Sequence, residues 1–188
     1  MIRKITKEDI KECVRVITES FMTVADELGF TKENAPRFTA FATTEERLMY
    51  HLEVEKRPMY GFFSDEGSDG GSDNGSSGFG NGSGDGSADN AGSGQLLGYY
   101  SLAKQSETEW ELNNLCVLPK CRHDGIGDVL LQDAFAKVKE LGGTKMNIGI
   151  VEENKRLRSW YESKGFVHTG TKKFDFFPFT CGYMEKQL

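Results

Sequence analysis

The residues from Asn114 to Leu131, NLCVLPKCRHDGIGDVLL, place a strand, a glycine loop and a helix in unbroken succession, and they constrain the fold more than any other part of the chain. Gly125 and Gly127 lack Cβ atoms, so main-chain N–H groups there can come close to a bound molecule. The helix they open offers its unpaired first-turn donors and positive dipole end to the same space. That order implies an anionic ligand of the pyrophosphate type. A lone G-x-G is weak evidence, because such pairs also mark ordinary turns, and the dinucleotide fingerprint competes for it. The fingerprint fails here: its third glycine would fall at Leu130, and Met146 and Asn147 stand where an acidic residue should close the next strand.

A second motif follows. Asn154-Lys155-Arg156-Leu157-Arg158-Ser159-Trp160-Tyr161-Glu162-Ser163-Lys164-Gly165-Phe166 comes after an apolar strand and reads as a short helix closed by a glycine cap. In this order, V-x-P-x-x-R-x-x-G-x-G and N-x(6)-Y-x-x-x-G-F resemble the GCN5-related N-acetyltransferase (GNAT) superfamily, whose members move an acetyl group from acetyl-CoA to an amine. The likeness is close from Trp110 to Phe166, and the pair of motifs is far more specific than either half.

The resemblance implies an α/β (α+β) fold with a mixed central sheet of six to seven strands and helices on both faces. It also implies that the strands Trp110 to Val117 and Lys145 to Val151 splay apart to hold acetyl-CoA, whose pantetheine bonds to backbone like an added strand. Leu115, Cys116 and Val117 would supply backbone groups to the pantetheine arm and thioester, with the Val117 N–H polarising the carbonyl. The side chains of Leu115 and Val117 read as core packing in either case. Arg122, His123, Asp124, Gly125, Ile126, Gly127 and Asp128 would hold the pyrophosphate, with the carboxylates of Asp124 and Asp128 turned outward. Asn154 would help fix the cofactor through its amide, its plainer reading being a helix N-cap. Tyr161 would protonate the departing thiolate, its plainer reading being aromatic packing.

The base is less defined. Some family members carry a glutamate five residues before the asparagine, and here that position is Gly149. Glu111 is the best substitute, acting directly or through a water, because period-two alternation puts it on the face of Asn113 and Leu115. A solvated strand-end charge is the equal alternative. The missing Gly149 carboxylate also keeps open a rival reading, a non-catalytic acyl-CoA-binding or scaffold protein.

Composition narrows the remaining classes. The 188 residues are 37% apolar, enough for one sizeable core and a single domain over residues 1–188, and the net charge of −6 argues against nucleic acid as a partner. Lys155, Arg156 and Arg158 form a small basic cluster, readable as a solvated face or as a contact to a coenzyme phosphate. Apolar runs are too short for a membrane span and Met1 to Ile5 leads into a charged helix without a signal core, so a cytoplasmic protein is expected. Cys13, Cys116, Cys121 and Cys181 show no C-x-x-C spacing, and His51, His123 and His168 are scattered, so free thiols and no metal are expected.

From Gly67 to Gly94 the chain is almost wholly Gly, Ser, Asp and Asn, with Phe79 the only large apolar residue. Such a segment cannot bury enough surface to offset its ordering entropy, so it reads as a flexible inserted linker of engineered character. Calcium-loop spacing is absent from it. The flanking runs, Gly61 to Glu66 and Gln95 to Tyr100, would meet as an ordinary hairpin without it.

Elsewhere the sequence predicts a strand near Ile2 to Ile5 and a helix capped by Thr6 with Asp9 at its third position. A second helix follows, opened by Thr43 with Glu46 and ended by Pro58. Strands are predicted at Met59 to Ser64, Leu96 to Lys104, Trp110 to Val117, Lys145 to Val151, Phe166 to Lys173 and Cys181 to Lys186, with helices at Gly125 to Leu141 and Asn154 to Lys164. In the resembled family, acceptor choice would rest on Phe21 to Thr44 and on the aromatic loop Phe174 to Thr180, which could wall a pocket, join a dimer or pack on its own core. The acceptor would be a small-molecule or peptide amine, and the protein a monomer or homodimer.

Overall fold

A computed structural model describes residues 1–65 and 94–188; the linker reading of Gly67 to Gly94 falls, apart from Gly94, outside the described residues. The elements run β1 (Ile2–Lys4), α1 (Ile10–Leu28), α2 (Thr39–Ala42), α3 (Glu45–Glu53), β2 (Met59–Phe63), β3 (Leu96–Lys104) and β4 (Glu109–Val117). After a 3-10 turn at Pro119–Cys121 come α4 (Ile126–Glu140), β5 (Lys145–Val151), α5 (Lys155–Ser163), β6 (Val167–Lys173) and β7 (Thr180–Gln187). The strands form one mixed sheet in the order β1-β2-β3-β4-β5-β7-β6. Among the described strands, only β4 and β5 pair in parallel, as the intervening α4 crossover requires.

Both faces are covered. On α1, Ile10, Cys13, Val16 and Ile17 recur at helical spacing and pack, with Leu48 of α3, onto Met59, Phe63, Tyr99 and Cys116. On the other face, Leu130, Leu131, Ala134, Phe135 and Val138 of α4 meet Tyr100, Leu102, Leu112, Met146 and Ile148. Leu130 and Leu131 are fully buried, so truncating either to alanine would cost about 2–5 kcal/mol. A third cluster joins the end of α1 to α2 and to Phe179 before β7.

Several helix ends differ from the sequence reading. Regular α1 begins at Ile10: Thr6 and Asp9 instead form a turn in which the Asp9 carboxylate accepts from the Thr6 main-chain N–H at 2.8 Å and is also bound by Arg3 at 2.7 Å. The N-cap of α3 is Thr44 rather than Thr43, its hydroxyl accepting from the Arg47 N–H at 3.2 Å, and the helix ends at Glu53, short of Pro58. The short α2 has no sequence signal of its own. Strands β2 and β3 pair as a hairpin closed by a Ser64 N–H to Gln95 carbonyl bond of 2.9 Å.

Candidate active site

Strands β4 and β5 pair only at Glu109 with Lys145, Trp110 with Met146 and Glu111 with Asn147. Beyond that point β4 stays with β3 and β5 stays with β7, so two strand edges diverge and face each other unpaired. The divergence coincides with a bulge. Tyr99 pairs with Cys116 and Ser101 with Asn113, which leaves Asn114 and Leu115 opposite Tyr100, and Asn114 takes a left-handed backbone with φ 54°. The extra residue reverses the alternation. Leu115 therefore packs on the α4 side with Leu112, whereas Glu111, between Trp110 and Leu112, lies on the opposite face. The expectation that Glu111 and Leu115 share a face is corrected accordingly.

A cleft of about 560 Å³ occupies the opening and reaches both sides of the sheet. Leu115 and Val117 of β4 and Ile148 and Ile150 of β5 line it, with Trp160 and Tyr161 of α5 beside them. At one end lie His123 and Gly127. His123 and Gly125 take left-handed backbone, with φ of 72° and 80°. No described residue accepts from the main-chain N–H groups of residues 123 to 128. These six donors and the first turn of α4 make a concave site for an anion.

Arg122 also lines the cleft, with its donors engaged by main-chain carbonyls. Its N–H donates to the Pro119 carbonyl at 3.3 Å, and its guanidinium donates to the carbonyls of Ser20 at 2.9 Å and Val117 at 3.3 Å, bracing α1 against β4. Burial lowers its pKa. Asp124 is exposed, and Asp128 forms an ion pair of 2.7 Å with Lys164, without hydrogen-bond alignment. The basic cluster on α5 divides: Lys155 and Arg158 bind Glu152 at 2.9 and 2.6 Å, while Arg156 lies 3.3 Å from His123 and lines the cleft.

Tyr161 is 6% exposed and packs edge-on against Trp160 and Phe166, yet no described residue hydrogen-bonds its hydroxyl. Burial raises its pKa, with the Cys116 thiol adding to the effect, so the phenol stays neutral. Asn154 caps α5, its Oδ1 accepting from the Leu157 N–H at 3.0 Å, and it also lines the cleft. Cys116 turns its side chain into the α1 core, where burial pushes the thiol up to about 12.

Glu111 does not line the cleft. Gln105 donates to its carboxylate at 2.6 Å, and burial raises its pKa against the opposing pull of Arg57 and its hydrogen bonds. Gly149 does line the cleft, and a Cβ there would meet nothing within 4 Å. On the α1 side the walls are Phe21, Phe38, Phe177 and Phe179, with Glu27 and Tyr183 among them. Of the aromatic loop, Phe177 and Phe179 thus wall the cleft and stack at 4.6 Å, whereas Phe176 is 47% exposed.

Comparison with known proteins agrees with this geometry. The Acetyltransferase (GNAT) domain model matches residues 87–168, a span holding the amide loop, Asn154 and Tyr161. Over that span, which is less than half of the chain, the sequence is similar to GNAT acetyltransferases. An uncharacterized N-acetyltransferase of Mycobacterium tuberculosis (strain ATCC 25618 / H37Rv) is 27% identical over 81 residues, 43% of this chain and 52% of the relative. The chain thus spans about half the length of the curated relatives it matches. Among solved structures, the PaiA N-acetyltransferase of Thermoplasma acidophilum in complex with coenzyme A shares the fold. Its TM-score is 0.72 at 19% identity, covering 100% of this chain and 98% of that one. A ribosomal-protein-alanine N-acetyltransferase of Brucella melitensis gives 0.66 at 18% identity, covering 100% and 99%.

Sequence reasoning named the Phe21 to Thr44 segment, which supplies Glu27 and Arg37 to the cleft wall, but it missed Asn114 as the pivot of the splay and Tyr183 as a lining residue. Nothing local marks these two, since they reach the cleft only through the topology of the strands.

Proposed function

We propose that this protein is an N-acetyltransferase, moving the acetyl group of acetyl-CoA to a primary amine, on a small molecule or a peptide, by direct attack in a ternary complex. One observation carries the reading: the facing edges of β4 and β5 diverge unpaired, and His123 and Gly127 at one end of the same cleft belong to a run of six amides, residues 123 to 128, from which no described residue accepts. A pantetheine arm fits the first feature, as an extended chain that adds to a strand edge. A diphosphate fits the second. His123, Gly125 and Gly127 hold the diphosphate through main-chain donors, and Arg156 adds charge. Arg122 keeps the loop in place rather than binding the anion.

The acceptor approaches from the α1 side, where the cleft passes Asn114, Gly149 and Tyr183. Its nitrogen attacks the thioester carbon, the carbon–sulfur bond breaks, and Tyr161 donates a proton to the departing sulfur. The neutral, buried phenol has its O–H unengaged and available for that step. Glu111 takes the amine proton through a water, or through Tyr183, whose pKa it helps to raise after burial. Burial raises the Glu111 pKa, which makes it a better base near neutrality than an exposed carboxylate.

Turnover of acetyl-CoA across a panel of primary amines tests the reading. Acetylated product in the presence of at least one amine class supports it. Coenzyme binding without turnover of any amine would leave an acyl-CoA-binding protein instead.

A further inference from the structure

Next to the cleft lies a second, smaller cavity of about 280 Å³. It shares Arg37, Thr39 and Asn114 with the cleft, so the two spaces meet at the bulge of β4. Its character is opposite: the cleft is largely apolar, whereas this cavity is lined by Arg37, Arg47, Arg57 and His51 with no carboxylate among its lining residues. In a chain of net charge −6, a cavity of three arginines runs against the overall balance.

The arginines are held in different ways. Arg57 donates to Glu55 at 2.7 Å and His51 Nδ1 lies 2.7 Å from the same oxygen, so one carboxylate fixes two cationic or polar groups at the rim. Arg37 lies over the Phe176 ring at 4.7 Å, a face contact that leaves its in-plane N–H donors unspent. No described carboxylate pairs with Arg37 or with the Arg47 guanidinium. Glu111 faces the cavity region from β4 and feels Arg57, and together with Glu55 it is the acidic counterweight; three guanidinium groups outnumber them.

We propose that this cavity recognises an anionic group on the acceptor, a carboxylate or a phosphate, carried a few bonds from the amine that is acetylated. The proposal rests on the acetyltransferase reading and names its substrate class. Guanidinium forks match the paired oxygens of both groups, and the shared wall at Asn114 sets the spacing between anion and nitrogen.

The test is steady-state kinetics of the full chain with acetyl-CoA on matched pairs: amino acids against their carboxamides, and an aminoalkyl phosphate against the corresponding amino alcohol. The anionic member of at least one pair type should have a kcat/KM higher by about tenfold or more, which also tells carboxylate from phosphate. Arg47→Gln, which removes a guanidinium with no described partner, and Arg57→Gln should reduce that preference through the KM of the amine, with the KM of acetyl-CoA unchanged. Equal kcat/KM for charged and neutral members, or a preference for neutral ones, overturns the proposal while leaving the acetyltransferase reading standing. If coenzyme A binds but no amine reacts, calorimetric titration with inorganic phosphate decides: heat that Arg47→Gln and Arg57→Gln weaken supports the cavity, and its absence overturns it. Failure of coenzyme A to bind removes the underlying reading, and the substrate class with it.

Discussion

Glu111 and Leu115, four residues apart on one strand, lie on opposite faces of the sheet because Asn114 inserts an extra residue between them. Regular alternation would have put both against the same ligand. The bulge instead puts Leu115 on the α4 side, where it lines the cleft, and Glu111 on the α1 side, outside the cleft lining, from which the proposed role as base would be exercised through a relay.

Glu111→Gln should lower kcat/KM by about a hundredfold near neutral pH. A base works only when deprotonated, and burial raises this carboxyl above its usual 4.5, so the wild-type acidic limb should fall above that value. The variant should lose that limb in a pH–rate profile. Gly149→Glu, where a side chain meets open space, should restore part of the rate when combined with Glu111→Gln. A limb unchanged in Glu111→Gln excludes Glu111 as the base.

Tyr161→Phe should lower kcat by roughly ten- to a hundredfold with little change in the KM of acetyl-CoA. The hydroxyl has no described protein partner, so its removal strands no buried group and the melting temperature should hold within about 2 °C. An unchanged kcat would reduce Tyr161 to a packing residue.

Glu152 anchors α5 to the strand before it. Burial alone would raise its pKa, but Lys155, His168 and Arg158 outweigh that and hold it at about 2. A carboxyl depressed below its ordinary 4.5 adds stability at pH above 4.5, and that stability drains away as pH falls toward 2. Glu152→Gln should therefore lower the melting temperature at pH 7 by on the order of 3 °C, and the gap should close on acidification. Equal gaps at about pH 7 and about pH 2.5 in calorimetric melts would contradict this.

Deleting residues 67–94 should leave fold and turnover intact, since β2 and β3 already meet through Ser64 and Gln95. Shortening a loop changes its closure entropy by only about 0.6 kcal/mol per halving. Loss of folded protein or of coenzyme binding in the deletion would show that the segment has a structural role.

Local patterns carried much of this fold. The limits of β3 and β5 follow from apolar runs bounded by turns, and the glycine that closes α5, Gly165 with φ 85°, is legible because few other residues take that conformation. What escaped is what depends on distance in the chain. The bulge at Asn114 has no glycine to announce it, and nothing near Arg122 shows that its guanidinium will meet the carbonyl of Ser20, 102 residues away. Arg37, Arg47 and Arg57 stand ten residues apart, with no motif among them until α2, α3 and β2 bring them to one cavity.

The central claim is that the amides of residues 123 to 128 grip a diphosphate. Calorimetric titration with coenzyme A, compared with pantetheine, which lacks the phosphates, tests it most directly. The account predicts saturable binding of one coenzyme A per chain and an affinity for pantetheine weaker by about a hundredfold or more. No binding of coenzyme A to well-folded protein, or equal affinity for the two, would contradict it.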